Sequence, residues 1–268
     1  MRLRSGPSES WHGKSSRKFN PWALLNLPSR RSVSGRLSAF EHLEELRTRL
    51  LVILATVGFF SVAGYFFTEP LLEFLISPLR DLSNAELYFH APYEAFLARL
   101  KVALLGGLVA GSPVLFAELW LFLAPGLRRR ERKVVFLLIA ISVLLFLLGA
   151  AFAFYVLVPM TLKFLLNFQT YSLRPLLGID SYFSFLISVI LACGIVFDLP
   201  VVLLGLVRGG VLSAQTLRGA RKGVIVLVFI VAAILTPTPD PIGQVLLALP
   251  LIFLYEGCIG ISRWVEKK

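Results

Sequence analysis

Six long apolar runs constrain the fold of this chain more than any other feature of its sequence. Crossing the roughly 30 Å hydrocarbon core of a bilayer takes about 20 helical residues. The runs are continuous rather than alternating, and they are longer than a barrel strand needs, so they predict membrane-spanning helices. The predicted spans are approximately 50–67, 101–123, 134–157, 182–207, 223–236 and 244–261. We therefore expect an all-α, polytopic membrane protein.

The composition agrees with a membrane location. Of the 268 residues, 57% are hydrophobic and only 16% are charged, whereas a soluble domain has about 25% charged residues. We expect one membrane domain over residues 38–268. Cys193 and Cys258 both lie within apolar runs, so they predict no disulfide framework.

The basic residues predict the orientation of the spans. With six spans, both termini share one side with the loops that follow the second and fourth spans, and 22 of the 27 Lys and Arg residues fall there. The positive-inside rule then places both termini in the cytoplasm. This topology accounts for most of the net charge of +11. Nucleic-acid binding explains it poorly, because the basic residues flank spans instead of forming a surface with aromatic stacking residues.

Residues 1–37 form a separate segment that is rich in Ser and Arg, with a single acid and three prolines. These features predict a disordered basic tail. An organelle transit peptide, a cytoplasmic tail and a start codon placed too far upstream all fit this composition.

Two groups of charged residues flank the predicted spans. In "FEHLEELRTRLLVIL", the leucines recur at helical spacing, while Glu41, Glu45 and Arg49 share another face, which predicts an interfacial helix. The alternative interpretation is that these charged side chains lie in water at the membrane surface and form exposed ion pairs. Glu131 is the only acid in "RRRERK", where a salt bridge within the loop is the alternative to a ligand site.

The exported loops and the last spans have distinct characters. Loops 68–100 and 158–181 are moderately apolar and contain prolines, so we expect short helices that form a cap over the membrane surface.

The apolar stretch 224–235 has 12 residues, about 18 Å of helix. The proline-rich turn "LTPTPDPIGQ" follows it. The last two spans are therefore predicted to be short, thinning the bilayer or admitting water there.

Asp198 lies inside the apolar run "LACGIVFDLPVVLLG". An acid near the centre of a span costs about 2.5–3.5 kcal/mol on insertion scales, so a partner, water or protonation must offset that cost. Pro200 also leaves the Val196 carbonyl without its helical donor. We expect Asp198 to face a cavity; a proton-relay carboxylate and neutral, hydrogen-bonded packing are the alternatives. Glu118 lies nearer a span end, where an acid is less unusual.

Four motifs together resemble one family. "FEHLEELRTRLL", "LFLAPGLRRRERK", "GIVFDLPVV" and "ILTPTPDPIGQ" occur in the order, spacing and topology of the TatC family, the six-span receptor subunit of twin-arginine protein translocases. The resemblance covers roughly residues 40–265. It implies a six-span membrane protein with a concave face and without catalysis.

The resemblance also implies a cytoplasmic site for the paired arginines of signal peptides on folded cargo. Its motifs place Glu45, Arg47, Phe122 and Glu131 in that site. Two guanidiniums require planar carboxylate partners, so Glu45 and Glu131 are expected to bind the arginines. Arg47 is expected to order these acids, and Phe122 is expected to pack near the binding surface.

Further residues match the family inside the membrane and in the exported loops. Asp198 stands where the family usually has glutamate, so it is expected to contact a partner subunit or water. Asp240 and Gln244 match polar residues at the turn before the last span, where a capped turn is the alternative for Asp240. Pro78 matches a proline that fixes the cap.

The resemblance implies partners but no cofactor and no metal. The expected partners are twin-arginine signal peptides, single-span TatA/TatB-type subunits in a multimeric complex, and membrane lipid, with the protonmotive force as the energy source. The expected location is the bacterial cytoplasmic membrane, or a plastid thylakoid membrane. The alternative function is a proton- or ion-coupled small-solute transporter, although the paired broken spans of such transporters are not evident in the sequence.

Overall fold

The computed structural model describes residues 39–82, 87–123, 132–167, 177–235 and 241–266. The predicted tail 1–37, Glu131 and Asp240 lie outside these ranges. Residues Met1–His42 form a unit of their own, of which the start of the first helix is described, and Leu43–Lys268 form one compact unit.

The described chain is almost entirely helical. Its elements are α1 (Ala39–Tyr65), α2 (Thr68–Leu82), β1 (Leu87–Tyr88), α3 (Glu94–Leu123), α4 (Arg132–Phe152), a π-helical turn (Ala153–Leu157), α5 (Val158–Leu166), β2 (Leu177–Gly178), α6 (Ile179–Arg208), α7 (Ala214–Gly219), α8 (Arg221–Leu235) and α9 (Pro241–Glu266). The predicted all-α, polytopic fold is confirmed.

Five helical segments in the described ranges are long and apolar enough to cross a membrane. They are Leu43–Tyr65, Glu94–Leu123, Val134–Leu166, Ile179–Arg208 and Gly243–Arg263. Helix α8 has 15 residues, about 22 Å, and is short as predicted. Helix α9 has 26 residues, so the predicted shortness of the last span is wrong, because the helix continues beyond its apolar run to Glu266.

The third span is also longer than predicted. Its helix does not end at residue 157 but continues through the π-helical turn into α5. The backbone N–H of Val158 bonds to the Ala153 carbonyl, five residues earlier, as in a π-bulge. This wider turn precedes Pro159, which lacks an N–H group and would interrupt a regular helix.

The loops that were predicted to form a cap contain α2, the two strands and α5, which continues from the third span; we call these elements the cap. Helix α2 contacts α3 and α5, and β1 pairs with β2 in parallel, with Leu87 opposite Leu177. The Tyr182 hydroxyl at the start of α6 donates to the Leu75 carbonyl at 2.7 Å. This bond attaches the cap to α6.

Pro78 is buried within α2. A proline cannot donate to the carbonyl four residues earlier, which here belongs to Phe74. The Ser77 hydroxyl donates to that carbonyl at 2.7 Å instead. The proline is thus accommodated in the cap helix by its neighbouring serine.

Helix α6 is the centre of the bundle and contacts α3, α4 and α9. Glycines permit its close approach to α4. A Cβ atom on Gly194 would lie 2.7 Å from the Phe146 ring, and one on Gly149 would lie 2.8 Å from both the Cys193 carbonyl and Phe197. The two aromatic side chains therefore fix the register of this antiparallel pair.

Helix α1 packs on α3 through glycines in the same way. A Cβ atom on Gly107 would lie 2.7 Å from the backbone nitrogen of Ser61, and one on Gly111 would contact Thr56 and Phe60. Successive contacts run in opposite directions along the two helices, so the helices are antiparallel. This register brings the beginning of α1 beside the end of α3, opposite the cap.

We predict that Gly107→Ala destabilises the protein by about 1–3 kcal/mol, because the added methyl group would collide with the α1 backbone. The two buried cysteines allow unfolding in detergent to be followed with a thiol-reactive fluorophore. The thermal midpoint of unfolding should fall.

The matched control is Gly106→Ala. A Cβ atom there would have its nearest neighbour, the Leu71 side chain, at 3.4 Å, and alanine is the better helix former by up to about 1 kcal/mol. Its midpoint should be unchanged or higher. Equal midpoints for the two variants would contradict the close α1–α3 packing.

Candidate functional site

An arginine joins two carboxylates where the beginning of α1 meets the end of α3. The Arg49 guanidinium donates to Glu45 Oε1 from Nη2 at 2.6 Å and from Nε at 3.0 Å. It also donates from Nη1 to Glu118 Oε2 at 2.9 Å. Glu45 and Arg49 lie one turn apart on α1, while Glu118 reaches them from α3. We call these three residues the carboxylate bridge.

The carboxylate bridge is partly exposed. The side chains of Arg49, Glu45 and Glu118 are 21%, 29% and 21% exposed. Its formal charge is −1, since two carboxylates share one guanidinium. An arrangement of this kind holds a planar cation through charge-assisted hydrogen bonds.

The structure places the other residues of the predicted peptide site around this bridge or outside its described ranges. Arg47 is exposed, and the ordering contact to Glu45 comes from Arg49. Phe122 is half-buried on α3, one turn after Glu118. Glu131 lies outside the described residues.

The sequence motifs do not single out Glu118, and periodicity places Arg49 only on one helix face with Glu41 and Glu45. A usable signal was present, because an acid in an apolar span requires a partner at its own depth. Helix α1 is antiparallel to α3 and carries Arg49 at that depth. Finding the pair required the helix register, which the glycine contacts establish.

Asp198 lies in the interior of the bundle. It is 4% exposed, and the adjacent Ser142 and Trp120 are 0% and 3% exposed. The Trp120 indole donates to the Ser142 hydroxyl at 2.9 Å, and Ser142 lies close to the Asp198 carboxyl group. Asp198 Oδ1 has no hydrogen-bond partner among the described residues.

A groove of about 260 Å³ lies on another side of α6, between α6, α8 and α9. Leu199, Leu203 and Leu227 are among its apolar lining residues, and Asp198 is not. The Asp198 side chain therefore does not face this groove, and its expected position beside a cavity stays a prediction.

Gln244 connects the two last helices. Its side-chain amide donates from Nε2 to the Phe229 carbonyl at 2.8 Å, so it ties the beginning of α9 to α8. Asp240, which precedes α9, lies outside the described residues. Within the described ranges, no group of three or more His, Cys, Asp and Glu side chains could hold a metal ion.

Comparison with known proteins decides the family. The family model of the Sec-independent protein translocase protein (TatC) matches residues 41–250. The chain belongs to the TatC family. It is similar to the TatC protein of Magnetococcus marinus, with 40% identity over 238 residues that cover 88% of each chain. It is also similar to the chloroplastic TATC of Arabidopsis thaliana, with 38% identity over 86% of this chain and 66% of that one.

A solved structure agrees with this assignment. The crystal structure of the twin-arginine translocase receptor TatC superposes with a TM-score of 0.71 at 35% identity, covering 84% of this chain and 100% of that chain. The protein is therefore the receptor-type subunit of a twin-arginine translocase, in a family of translocase receptors and not of enzymes. This assignment replaces the small-solute transporter considered from the sequence.

We predict that Ser142→Ala lowers stability by about 1–2 kcal/mol, because it leaves the buried Trp120 indole without its hydrogen-bond acceptor. Thermal unfolding in detergent, followed through the buried cysteines, measures the change. In the Ser142→Ala background, Trp120→Phe should cost less than it does alone, since the indole N–H is already unpaired.

Ser188→Ala provides the control. The Ser188 hydroxyl is exposed and bonds within its own helix, to the Ser184 carbonyl at 2.7 Å, so its loss should change the midpoint little. Additive effects of Ser142→Ala and Trp120→Phe would contradict the Trp120–Ser142 hydrogen bond.

Proposed function

We propose that this receptor subunit binds the twin-arginine signal peptides of folded precursor proteins at the end of the bundle that carries Glu45. Glu45 and Glu131 supply carboxylates for the two arginines, Arg47 orders the acids, and Phe122 packs near the peptide. The observation that carries the proposal is the carboxylate bridge. At this place, carboxylates already hold a guanidinium with hydrogen bonds of 2.6–3.0 Å.

The face that binds the peptide is the cytoplasmic one in this proposal. The loops at that end hold most of the basic residues, as the positive-inside rule requires of cytoplasmic loops. Arginine-rich peptides approaching such a surface need a local excess of acid, which the formal charge of −1 on the carboxylate bridge provides. The membrane is the bacterial cytoplasmic membrane, or the thylakoid membrane for a plastid protein.

We predict that Glu45→Gln and Glu131→Ala each reduce crosslinking of a twin-arginine precursor to membranes that contain this protein, and that Glu131→Lys reduces it further. Each change removes a carboxylate that would pair with a guanidinium, and the lysine adds repulsion. Crosslinking yield relative to a twin-lysine precursor is the measurement.

Glu44→Gln is the matched control for Glu45→Gln. Glu44 is the preceding residue on α1 and is exposed, and the carboxylate that Arg49 binds on α1 is that of Glu45. Its replacement should leave crosslinking unchanged. Wild-type crosslinking in Glu131→Ala and Glu131→Lys together would remove Glu131 from the site, and equal losses in Glu44→Gln and Glu45→Gln would remove Glu45.

The proposal also includes assembly with single-span TatA/TatB-type subunits, driven by the protonmotive force. The apolar groove between α6, α8 and α9 offers such a helix a surface inside the membrane, beside the short α8. Gln244 and Asp240 lie near the turn that joins α8 and α9 and supply polar contacts there. Asp198, on α6, does not line this groove, and its buried oxygen without a partner among the described residues would be satisfied by water or by a polar group of the partner on the side of α6 that faces Ser142.

We predict that Asp198→Ala and Leu227→Trp spare precursor crosslinking but impair co-purification of single-span subunits and export. The first removes the polar group, and the second fills the groove that Leu227 lines. Mild-detergent co-purification and export of a folded reporter measure the two effects.

Leu144→Trp is the control for the tryptophan substitution, since Leu144 is 56% exposed on α4 and does not line the groove. It should assemble normally. Full export by Asp198→Ala would reject a role for that carboxyl group, and full co-purification by Leu227→Trp would reject the groove.

A further inference from the structure

The guanidinium of Arg49 occupies the position that a ligand arginine would need. It engages Glu45 through two nitrogens and Glu118 through a third. A peptide arginine carries the same planar group with the same donors. It cannot form the same bonds with these carboxylates while Arg49 holds them.

Glu118 is as well placed for this role as Glu45. Its carboxylate lies 2.9 Å from the same guanidinium and is 21% exposed. Glu45 accepts through Oε1 and Glu118 accepts through Oε2, and no hydrogen bond to the second oxygen of either acid is found among the described residues. Each carboxylate therefore retains acceptor capacity toward an incoming guanidinium.

We propose that Arg49 is an internal competitor of the signal peptide, and that Glu118 is a carboxylate of the arginine site that becomes available when Arg49 leaves. This inference rests on the proposed function. An arginine of the peptide exchanges with Arg49, guanidinium for guanidinium, so the site is never left with two unpaired acids. Because the Arg49–Glu118 contact joins α1 to α3, the exchange also releases this end of α1.

The exchange explains a preference for arginine over lysine. A lysine ammonium is a compact cation that lacks the planar fork, so it cannot reproduce the three bonds that Arg49 gives up. A twin-lysine peptide would have to displace Arg49 without equivalent hydrogen bonds. Only a ligand that brings a guanidinium of its own therefore replaces all the hydrogen bonds that are lost when Arg49 leaves.

The test is binding of a fluorescent twin-arginine peptide to the purified full chain in nanodiscs, by fluorescence anisotropy, with a twin-lysine peptide as reference. Arg49→Gln should bind the twin-arginine peptide about three- to fivefold more tightly, because a partly exposed ion pair no longer competes. The same variant should bind the twin-lysine peptide with a smaller disadvantage than wild type. Glu118→Gln should bind the twin-arginine peptide about tenfold more weakly, since a charge-assisted bond is lost.

Arg99→Gln is the matched control. Arg99 is also an ion-paired arginine, bonded to Glu69 at 3.2 Å, but it lies at the cap end of α3, so its loss should leave peptide affinity unchanged. Arg49→Lys keeps the positive charge and should give intermediate affinity, which separates competition from a folding defect. Thermal midpoints of all variants are measured in parallel.

Three outcomes are distinguishable. Tighter binding by Arg49→Gln together with weaker binding by Glu118→Gln supports the inference. Weaker or unchanged binding by Arg49→Gln, or wild-type affinity in Glu118→Gln, overturns it while the receptor function stands. No preference of wild type and all variants for the twin-arginine over the twin-lysine peptide overturns the proposed function and this inference with it.

Discussion

The hydrocarbon of the bilayer cannot solvate a charge, and the polar contacts of this protein follow from that constraint. Arg49 and Glu118, on neighbouring apolar helices, are paired with each other. Lys101 near the beginning of α3 reaches the Ser184 hydroxyl at 2.7 Å and also binds Asp180. Each of these contacts joins two helices that are distant in sequence. The groups that are costly to place in lipid therefore also specify which helices pack together.

Close helix packing at glycines determines where these polar contacts form. Gly107 lets α3 approach the α1 backbone at Ser61, and Gly149 and Gly194 let α4 and α6 accept each other's aromatic side chains. In lipid, dispersion between closely packed backbones is a main attraction between helices. The resulting registers place Arg49 beside Glu118, and Ser142 beside Asp198. The positions of these two polar pairs are thus a consequence of close packing at glycines elsewhere along the same helices.

The sequence predicts the helices well and their mutual contacts poorly. Continuous apolar runs identify the spans, since only helices satisfy the backbone in lipid. The length of the apolar run underestimates the length of α9, because the helix continues through its polar end to Glu266. The apolar runs also do not reveal the π-helical turn before Pro159. The motifs point to Glu45 and Arg47, and the observed bridge joins Glu45 to Arg49 and Glu118. The contact between Arg49 and Glu118 depends on the register of two helices, which periodicity within one helix does not contain.

The two acidic positions differ in burial, and burial determines what each can do. Asp198 is 4% exposed, so a charged ligand could reach it only after helices separate, and its neighbours Ser142 and Trp120 are internal. Glu45 and Glu118 are 29% and 21% exposed, close enough to water for a guanidinium to enter and leave, yet close enough to lipid for the pairing to be stronger than in open solvent. A charged ligand therefore reaches the acids at the edge of the bundle more easily than the interior acid.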